Sequence, residues 1–238
     1  MFQRRLLWSL FSATAALGSL SSLAASPEPA ADCGSIQIVS QALAAGEAAA
    51  YCRYAAAERV KVEAYWGATW QGPIRIHVDA SYQISKALVP AFQGNRGFVE
   101  MPLRRARNND GALLHELVHV YAPSPNRFLA EGLAVYLQAR LGGNKSLPNF
   151  GERLASLARR RLPDSGSLTR LNAVRTPTPL RVTMDEMTAY IIGGSFVEFL
   201  IERYELPRFR ILYETEDYES AYGKTLPELE QEWRAQLQ

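Results

Sequence analysis

Two spacings of hydrophobic residues divide the chain into a strand-rich first part and a helix-rich second part. Alternation of apolar and polar positions predicts three short strands, at residues 35–40, 72–81 and 96–103. In the clearest of them, Ile74, Ile76 and Val78 face one side while polar residues face the other. The Ala-rich segment 41–67 predicts a long helix that ends at Gly67.

The second part of the chain repeats its apolar positions with the period of a helix. We predict helices at residues 110–121, 125–141, 151–161, 185–204 and 226–236. Ser124 is the expected N-cap of the second of these helices, and Pro125 is its expected first residue. The segment 163–183 predicts an irregular connection. A few strands followed by packed helices indicate an α+β fold with a small N-terminal β-sheet.

The first residues of the chain are typical of an export signal. Arg4 and Arg5 precede an apolar stretch without charges, and Ser22 and Ala24 are small residues at the positions that cleavage after Ala24 requires. We therefore expect residues 1–24 to be a signal peptide and the mature protein to be periplasmic or secreted. A retained membrane anchor is the alternative; after cleavage we expect no stable membrane insertion.

Composition narrows the kind of domain and the kind of partner. A chain of 238 residues, 47% of them hydrophobic, is long enough for one domain, which we place at residues 35–238 after a flexible leader at 25–34. Loss of residues 1–24 removes Arg4 and Arg5 from 26 basic residues and no acid, which leaves 24 basic and 24 acidic side chains. A net charge of zero for the mature chain gives no indication of a nucleic-acid partner.

The mature chain contains two cysteines, Cys33 and Cys52. An even number of cysteines in an exported chain predicts a disulfide bond. The bond would close a loop of about 20 residues and add on the order of 3 kcal/mol of stability. Metal binding by the two thiols is the alternative, although the chain has no further cysteine to complete a thiolate site.

The segment "GALLHELVHVYA" at residues 111–122 carries the candidate chemistry. His115 and His119 are four residues apart and therefore share one face of the predicted helix, with Glu116 at the edge of that face. Two histidine nitrogens, one carboxylate oxygen and a water form the usual catalytic zinc site, and a free carboxylate beside it can accept a proton from the water. The alternative is a helix with two buried histidines and no metal.

A catalytic zinc site needs a third protein ligand, for which His77, a carboxylate and a cysteine are the candidates. Glu131 is the best of these because it lies in the middle of the next predicted helix and most of its neighbours one turn away are apolar. Those apolar neighbours are Phe128, Ala134 and Val135. A buried carboxylate is costly unless it binds a metal or forms an ion pair. An ion pair with Arg127 is the alternative, and His77 is otherwise a residue of the strand's polar face.

The stretch "LLHELVHVYAPSPNRFLAEGLAVYL" resembles the peptidase MA-like zinc metallohydrolases of the gluzincin type, whose HExxH helix is followed by a helix with an L-x-E-G-x-A-x-Y pattern. The resemblance continues, less specifically, at 189–205 and 221–237. It implies a zincin-like metallopeptidase fold in which His115, His119 and Glu131 bind Zn2+ and Glu116 is the general base. The spacer between His119 and Glu131 is shorter than in the best-known gluzincins. Val135 stands where some of those enzymes have an aspartate.

Hydrolysis of a peptide also needs a hydrogen-bond donor for the oxyanion, and Tyr190 is our candidate. Tyr190 lies beside the small residues Ala189, Gly193 and Gly194, which predict close packing of this helix, and the HExxH helix is the natural neighbour. Plain core packing of Tyr190 is the alternative.

These residues predict an exported zinc metallopeptidase, a hydrolase that cleaves peptide bonds with a zinc-bound water activated by Glu116. The expected partner is a peptide or protein substrate. The alternative is a non-catalytic zincin-like envelope protein that binds peptide or cell-envelope components, a role that gives no reason for Glu116.

Overall fold

A computed structural model describes residues 30–88, 97–142 and 145–238, which form an α+β structure with a small mixed sheet. The predicted signal peptide and nearly all of the leader lie outside these ranges. The strands within them are β1 (Ala31–Asp32), β2 (Ile36–Val39), β3 (Ile74–Asp79), β4 (Lys86–Ala87) and β5 (Phe98–Pro102).

The sheet has the order β1-β2-β3-β5-β4, with parallel pairs in the centre and an antiparallel pair at each edge. The central strands β2, β3 and β5 confirm the three predicted strands. Ile74, Ile76 and Val78 of β3 are buried, as the alternation predicted. The pattern does not predict β1 and β4, because a strand of two residues is too short to show alternation.

The long helix α1 (Ala45–Trp66) follows β2 and packs against it, and its C-cap is Gly67, as predicted. Cys33 and Cys52 form the predicted disulfide bond, with a Cα–Cα distance of 6.1 Å. The bond links the turn between β1 and β2 to the middle of α1. It therefore ties the edge of the sheet to the helix that covers it.

The helices after the sheet are α2 (Leu103–Arg107), α3 (Ala112–Tyr121), α4 (Arg127–Leu141), α5 (Leu154–Arg161), α6 (Leu168–Asn172), α7 (Glu186–Thr215), α8 (Tyr218–Tyr222) and α9 (Leu226–Leu237). Five of them confirm the predicted helices to within a few residues at most ends. The predicted irregular segment contains α6, and α7 runs past its predicted end through a break at Glu205, where φ is 71°. In the described part of the chain, no helix is long and apolar enough to cross a membrane.

The predicted start of α4 is wrong by two residues. The N-cap is Asn126, whose side chain accepts a hydrogen bond from the backbone N–H of Leu129 at 3.1 Å. Ser124 instead accepts a hydrogen bond from the backbone N–H of Asn126, so it stabilises the turn before the helix. Pro125 lies in this turn. An Asn side chain caps as well as a Ser side chain does, and here it lies closer to the first apolar turn.

The glycines of α7 permit a close contact, but with α4 and not with α3 as the sequence suggested. A Cβ atom added to Gly194 would clash with the side chain of Val135, and one added to Gly132 would lie 2.7 Å from the carbonyl oxygen of Gly193. The backbones of α4 and α7 therefore approach each other as closely as only glycine allows. This contact places the N-terminal part of α7 beside the middle of α4.

Candidate active site

Three side chains from α3 and α4 converge on one point. His115 Nε2 lies 3.0 Å from Glu131 Oε2, His119 Nε2 lies 3.5 Å from the same oxygen, and the two Nε2 atoms are 3.3 Å apart. The two histidines meet because they are one helical turn apart on α3. Glu131 reaches them because the turn at residues 122–126 folds α4 back against α3.

These three residues are the group of potential metal ligands found in the described ranges, with all ligand atoms within 4.8 Å of one another. Two imidazole nitrogens and one carboxylate oxygen are a donor set that zinc prefers. Burial raises the pKa of Glu131, but His119, His115 and Arg127 outweigh burial and hold that pKa well below its usual range. The carboxylate is therefore ionised, as a metal ligand must be. The residues present fit a zinc ion.

His115 and Glu131 share a hydrogen bond at the place where a cation would lie. Burial lowers the pKa of His115, but the hydrogen bond and the charge of Glu131 outweigh burial and raise that pKa above its usual value. His115 and Glu131 therefore hold a proton tightly when no metal ion is bound between them. A metal bound by both side chains would replace this proton.

Arg127 contacts the second oxygen of the same carboxylate. Its Nη2 atom lies 2.8 Å from Glu131 Oε1, one helical turn away on α4. The ion pair that the sequence offered as an alternative to metal binding is thus present together with the histidine contacts. Oε1 of Glu131 faces Arg127 and Oε2 faces the two histidines, and these contacts fix the orientation of the carboxylate.

Glu116 lies beside this group and is not part of it. Its side chain is 6% exposed, and Oε2 accepts a hydrogen bond from the backbone N–H of Ala87 at 2.7 Å. Ala87 belongs to the edge strand β4, which contacts α3. The carboxylate is therefore held between the HExxH helix and the edge of the sheet.

Tyr190 lies on α7 at the same site. Its ring centroid is 6.3 Å from that of His115, and its hydroxyl donates a hydrogen bond to Glu186 Oε1 at 3.5 Å. Burial, with a smaller contribution from the charge of Glu131, raises the pKa of Tyr190. The phenol stays protonated at neutral pH and can donate a hydrogen bond.

A cleft of about 750 Å³ opens over these residues. His115, Glu116, His119, Glu131 and Tyr190 all line it. The segment 84–87 forms a further part of its lining, and the Pro-containing segment 176–179 with the start of α7 forms another. Such a volume accommodates several residues of an extended peptide.

The other candidate ligands considered from the sequence lie elsewhere. His77 is on β3, with its ring centroid 5.3 Å from that of Phe98, and it does not line the cleft. The cysteines are bonded to each other, which leaves no thiolate for a metal. The structure therefore brings together His115, Glu116, His119, Glu131 and Tyr190 but not His77.

Two contacts of the site do not follow from the sequence predictions. The hydrogen bond from the Ala87 N–H to Glu116 has no sequence signal, because β4 is only two residues long. The ion pair of Arg127 and Glu131 has a signal, because the two residues are four apart on a helix, but the sequence offered it as an alternative to metal binding, whereas here it accompanies the histidine contacts.

No protein-family model and no curated protein matches the chain. An M1 zinc metallopeptidase from Deinococcus radiodurans resembles it with 17% identity and a TM-score of 0.48, and a mutant of that enzyme with 16% identity and a TM-score of 0.49. Each comparison covers 85% of this chain and 48% of the solved one, so the chain spans about half the length of the structures it matches. Because both TM-scores are below 0.5, neither likeness assigns an activity to this chain.

Proposed function

We propose that the protein is an exported zinc-dependent metallopeptidase of the gluzincin type. His115, His119 and Glu131 hold the zinc ion, and Glu116 is the general base. One observation carries this proposal: both histidine Nε2 atoms and Glu131 Oε2 lie within 4.8 Å of one another in a cleft that a further carboxylate, Glu116, also lines. A bound zinc ion supplies Lewis-acid polarisation of a carbonyl and lowers the pKa of a water.

The residues around the three ligands have distinct tasks in peptide hydrolysis. Glu116 accepts a proton from the attacking water and passes it to the leaving amine. The N–H of Ala87 orients this carboxylate through its Oε2 atom. Tyr190, as a protonated phenol, donates a hydrogen bond to the carbonyl oxygen as negative charge develops on it.

The position of β4 favours an extended peptide as substrate. β4 is the last strand of the sheet, so one of its edges has no neighbouring strand in the described part of the chain. An open strand edge binds extended peptides through main-chain hydrogen bonds. Residues 84–87 line the cleft, so a peptide at this edge passes directly over Glu116.

Export belongs to the same proposal. The signal-like residues 1–24 support it, and the disulfide between Cys33 and Cys52 suits an oxidising compartment. The second candidate function is a non-catalytic envelope protein that binds peptides in the same cleft. Glu116 favours the enzyme, because neither metal binding nor peptide binding requires a free carboxylate at this place.

The first prediction tests the role of Glu116. Glu116→Gln removes the base but none of the three ligands, so we expect its zinc content to equal that of the wild type while peptide hydrolysis falls by about 10²–10⁴-fold. Digestion of a peptide library, with elemental analysis of the same samples, measures both quantities. Glu214→Gln, at an exposed position of α7, is the matched control and should cleave as the wild type does. Wild-type cleavage by Glu116→Gln would refute the mechanism.

A further inference from the structure

The cleft contains a nearly buried arginine that the proposed mechanism does not use. Arg105 is on α2, and its side chain is only 12% exposed. It lines the same cleft as His115 and Glu116. The small exposed part of this guanidinium therefore belongs to the site where a substrate binds.

One donor of Arg105 has no hydrogen-bond partner. Its Nη1 atom donates to Ser85 Oγ at 2.6 Å, but its buried Nε atom has no hydrogen-bond partner within the described ranges. Nε forms a long ion pair with Asp110 Oδ2 at 4.0 Å, beyond hydrogen-bond distance, and Asp110 Oδ1 accepts from the backbone N–H of Ala112. A buried guanidinium with unmet donors gains most from an anionic acceptor.

Arg105 is close to the place of reaction. It contacts Ser85, which is two residues before Ala87, and Ala87 holds the carboxylate of Glu116. Ser85 directly precedes β4, and at an extended rise of about 3.3 Å per residue it lies at most about 7 Å from Ala87. A peptide extended along β4 advances at the same rise, so Arg105 lies within about two residues of the bond that is cleaved.

A second basic residue lies beside Arg105. Lys86 is exposed and lines the cleft next to Ser85, on the side formed by α2 and β4. Arg127 and Arg181 also line the cleft, and the acids Asp185 and Glu186 lie at the start of α7. Asp185 caps α7 by accepting from the backbone N–H of Thr188. The basic residues of the α2–β4 side are thus Arg105 and Lys86.

We infer that Arg105, with Lys86 beside it, forms a subsite that binds a carboxylate of the peptide substrate within two residues of the cleaved bond. The carboxylate is an acidic side chain or the free C-terminus of the peptide. This inference rests on the proposed function and adds a substrate class to it: peptides that carry a negative charge at that position.

A matched set of peptides tests the subsite. A peptide that the wild type cleaves is synthesised with Asp or Asn at each of the two positions on either side of the cleaved bond, and each version is made as a free acid and as an amide. We expect kcat/KM to be about 10-fold or more higher for one Asp peptide than for its Asn counterpart, or for the free acid over the amide. The first result identifies a side-chain carboxylate and the second a terminal one.

Three variants of two neighbouring arginines separate this subsite from general charge effects. Arg105→Met should abolish the preference, and Arg105→Lys, which keeps the charge, should retain part of it. Arg104→Met is the control, because Arg104 is exposed on the same helix, does not line the cleft, and is 3.5 Å from the carbonyl oxygen of Gln83. It should keep the full preference.

Binding to the zinc-loaded Glu116→Gln variant, measured by fluorescence anisotropy with the same peptides, gives a readout independent of cleavage. Tighter binding of the acidic peptides that is lost on adding Arg105→Met supports the subsite even if no peptide is cleaved, an outcome that would contradict only the proposed activity. Equal binding and cleavage of acidic and neutral peptides by the wild type would overturn the subsite. So would a preference that survives in Arg105→Met.

Discussion

At the scale of single residues, the two oxygens of Glu131 have different partners. Oε2 faces His115 and His119, and Oε1 faces Arg127. A buried carboxylate with one free oxygen would rotate or take up a proton, and both changes weaken its use as a ligand. Arg127 opposes both by holding Oε1.

The second prediction concerns Arg127. Arg127→Met removes the ion pair but keeps the length of the side chain, so we expect zinc affinity to fall by about 10–100-fold, as for other residues that orient metal ligands. Competition with a chelator of known affinity measures the change. Arg140→Met is the control on the same helix, because Arg140 is 3.6 Å from the exposed Glu202. Unchanged affinity in Arg127→Met would show that Glu131 needs no such partner.

Predictability at this scale depends on distance along the chain. The contacts among His115, His119 and Glu131 follow from the period of a helix and from one short turn, and both are visible in the sequence. The contact between Glu116 and Ala87 joins residues 29 positions apart. It depends on how the sheet edge docks on α3, which no local pattern encodes.

At the scale of elements, the contact between α4 and α7 brings Tyr190, the proposed oxyanion donor, to the proposed metal ligands. Gly132 and Gly194 remove the side chains that would separate the two helices. The cost of a glycine in a helix, up to about 1 kcal/mol relative to alanine, is offset by the close packing.

The third prediction tests this packing. In Gly132→Ala the new Cβ atom would lie 2.7 Å from the carbonyl oxygen of Gly193, a backbone atom that cannot move alone. We expect the free energy of unfolding to fall by about 1–3 kcal/mol in urea titrations. Gly46→Ala on α1 meets no atom within 4 Å and should be neutral or stabilising by up to about 1 kcal/mol. If Gly132→Ala is as stable as Gly46→Ala, α4 and α7 are not in the close contact described here.

The elements also show where local pattern stops being informative. The Ala-rich composition of α1 and the helical spacing of apolar residues in α3 and α4 predicted those helices. The cap of α4 is Asn126 and not the predicted Ser124, because two residues that can cap a helix stand two positions apart and tertiary contacts choose between them. Asn126, for example, also donates a hydrogen bond to Asn172 Oδ1 at 3.0 Å, in the segment predicted to be irregular.

At the scale of the whole molecule, the candidate site lies where the sheet edge meets the helices. β4 lines one side of the cleft, α3 carries Glu116, and α4 and α7 carry Glu131 and Tyr190. The disulfide between Cys33 and Cys52 tightens the opposite edge of the sheet, where β1 lies. The α+β class could be predicted from the sequence, whereas the order β3-β5-β4, which exposes β4 to the cleft, could not.

The central claim is that His115, His119 and Glu131 form one metal centre. Its most direct test is the zinc content per folded chain, measured by elemental analysis of wild-type protein and of Glu131→Ala, with circular dichroism as the check on folding. We predict about one zinc ion per wild-type chain and less than about a tenth of that in Glu131→Ala, because two histidines alone leave the ion without its third protein ligand. A folded Glu131→Ala protein that retains a full zinc ion, or a wild-type protein that binds none, would contradict the account.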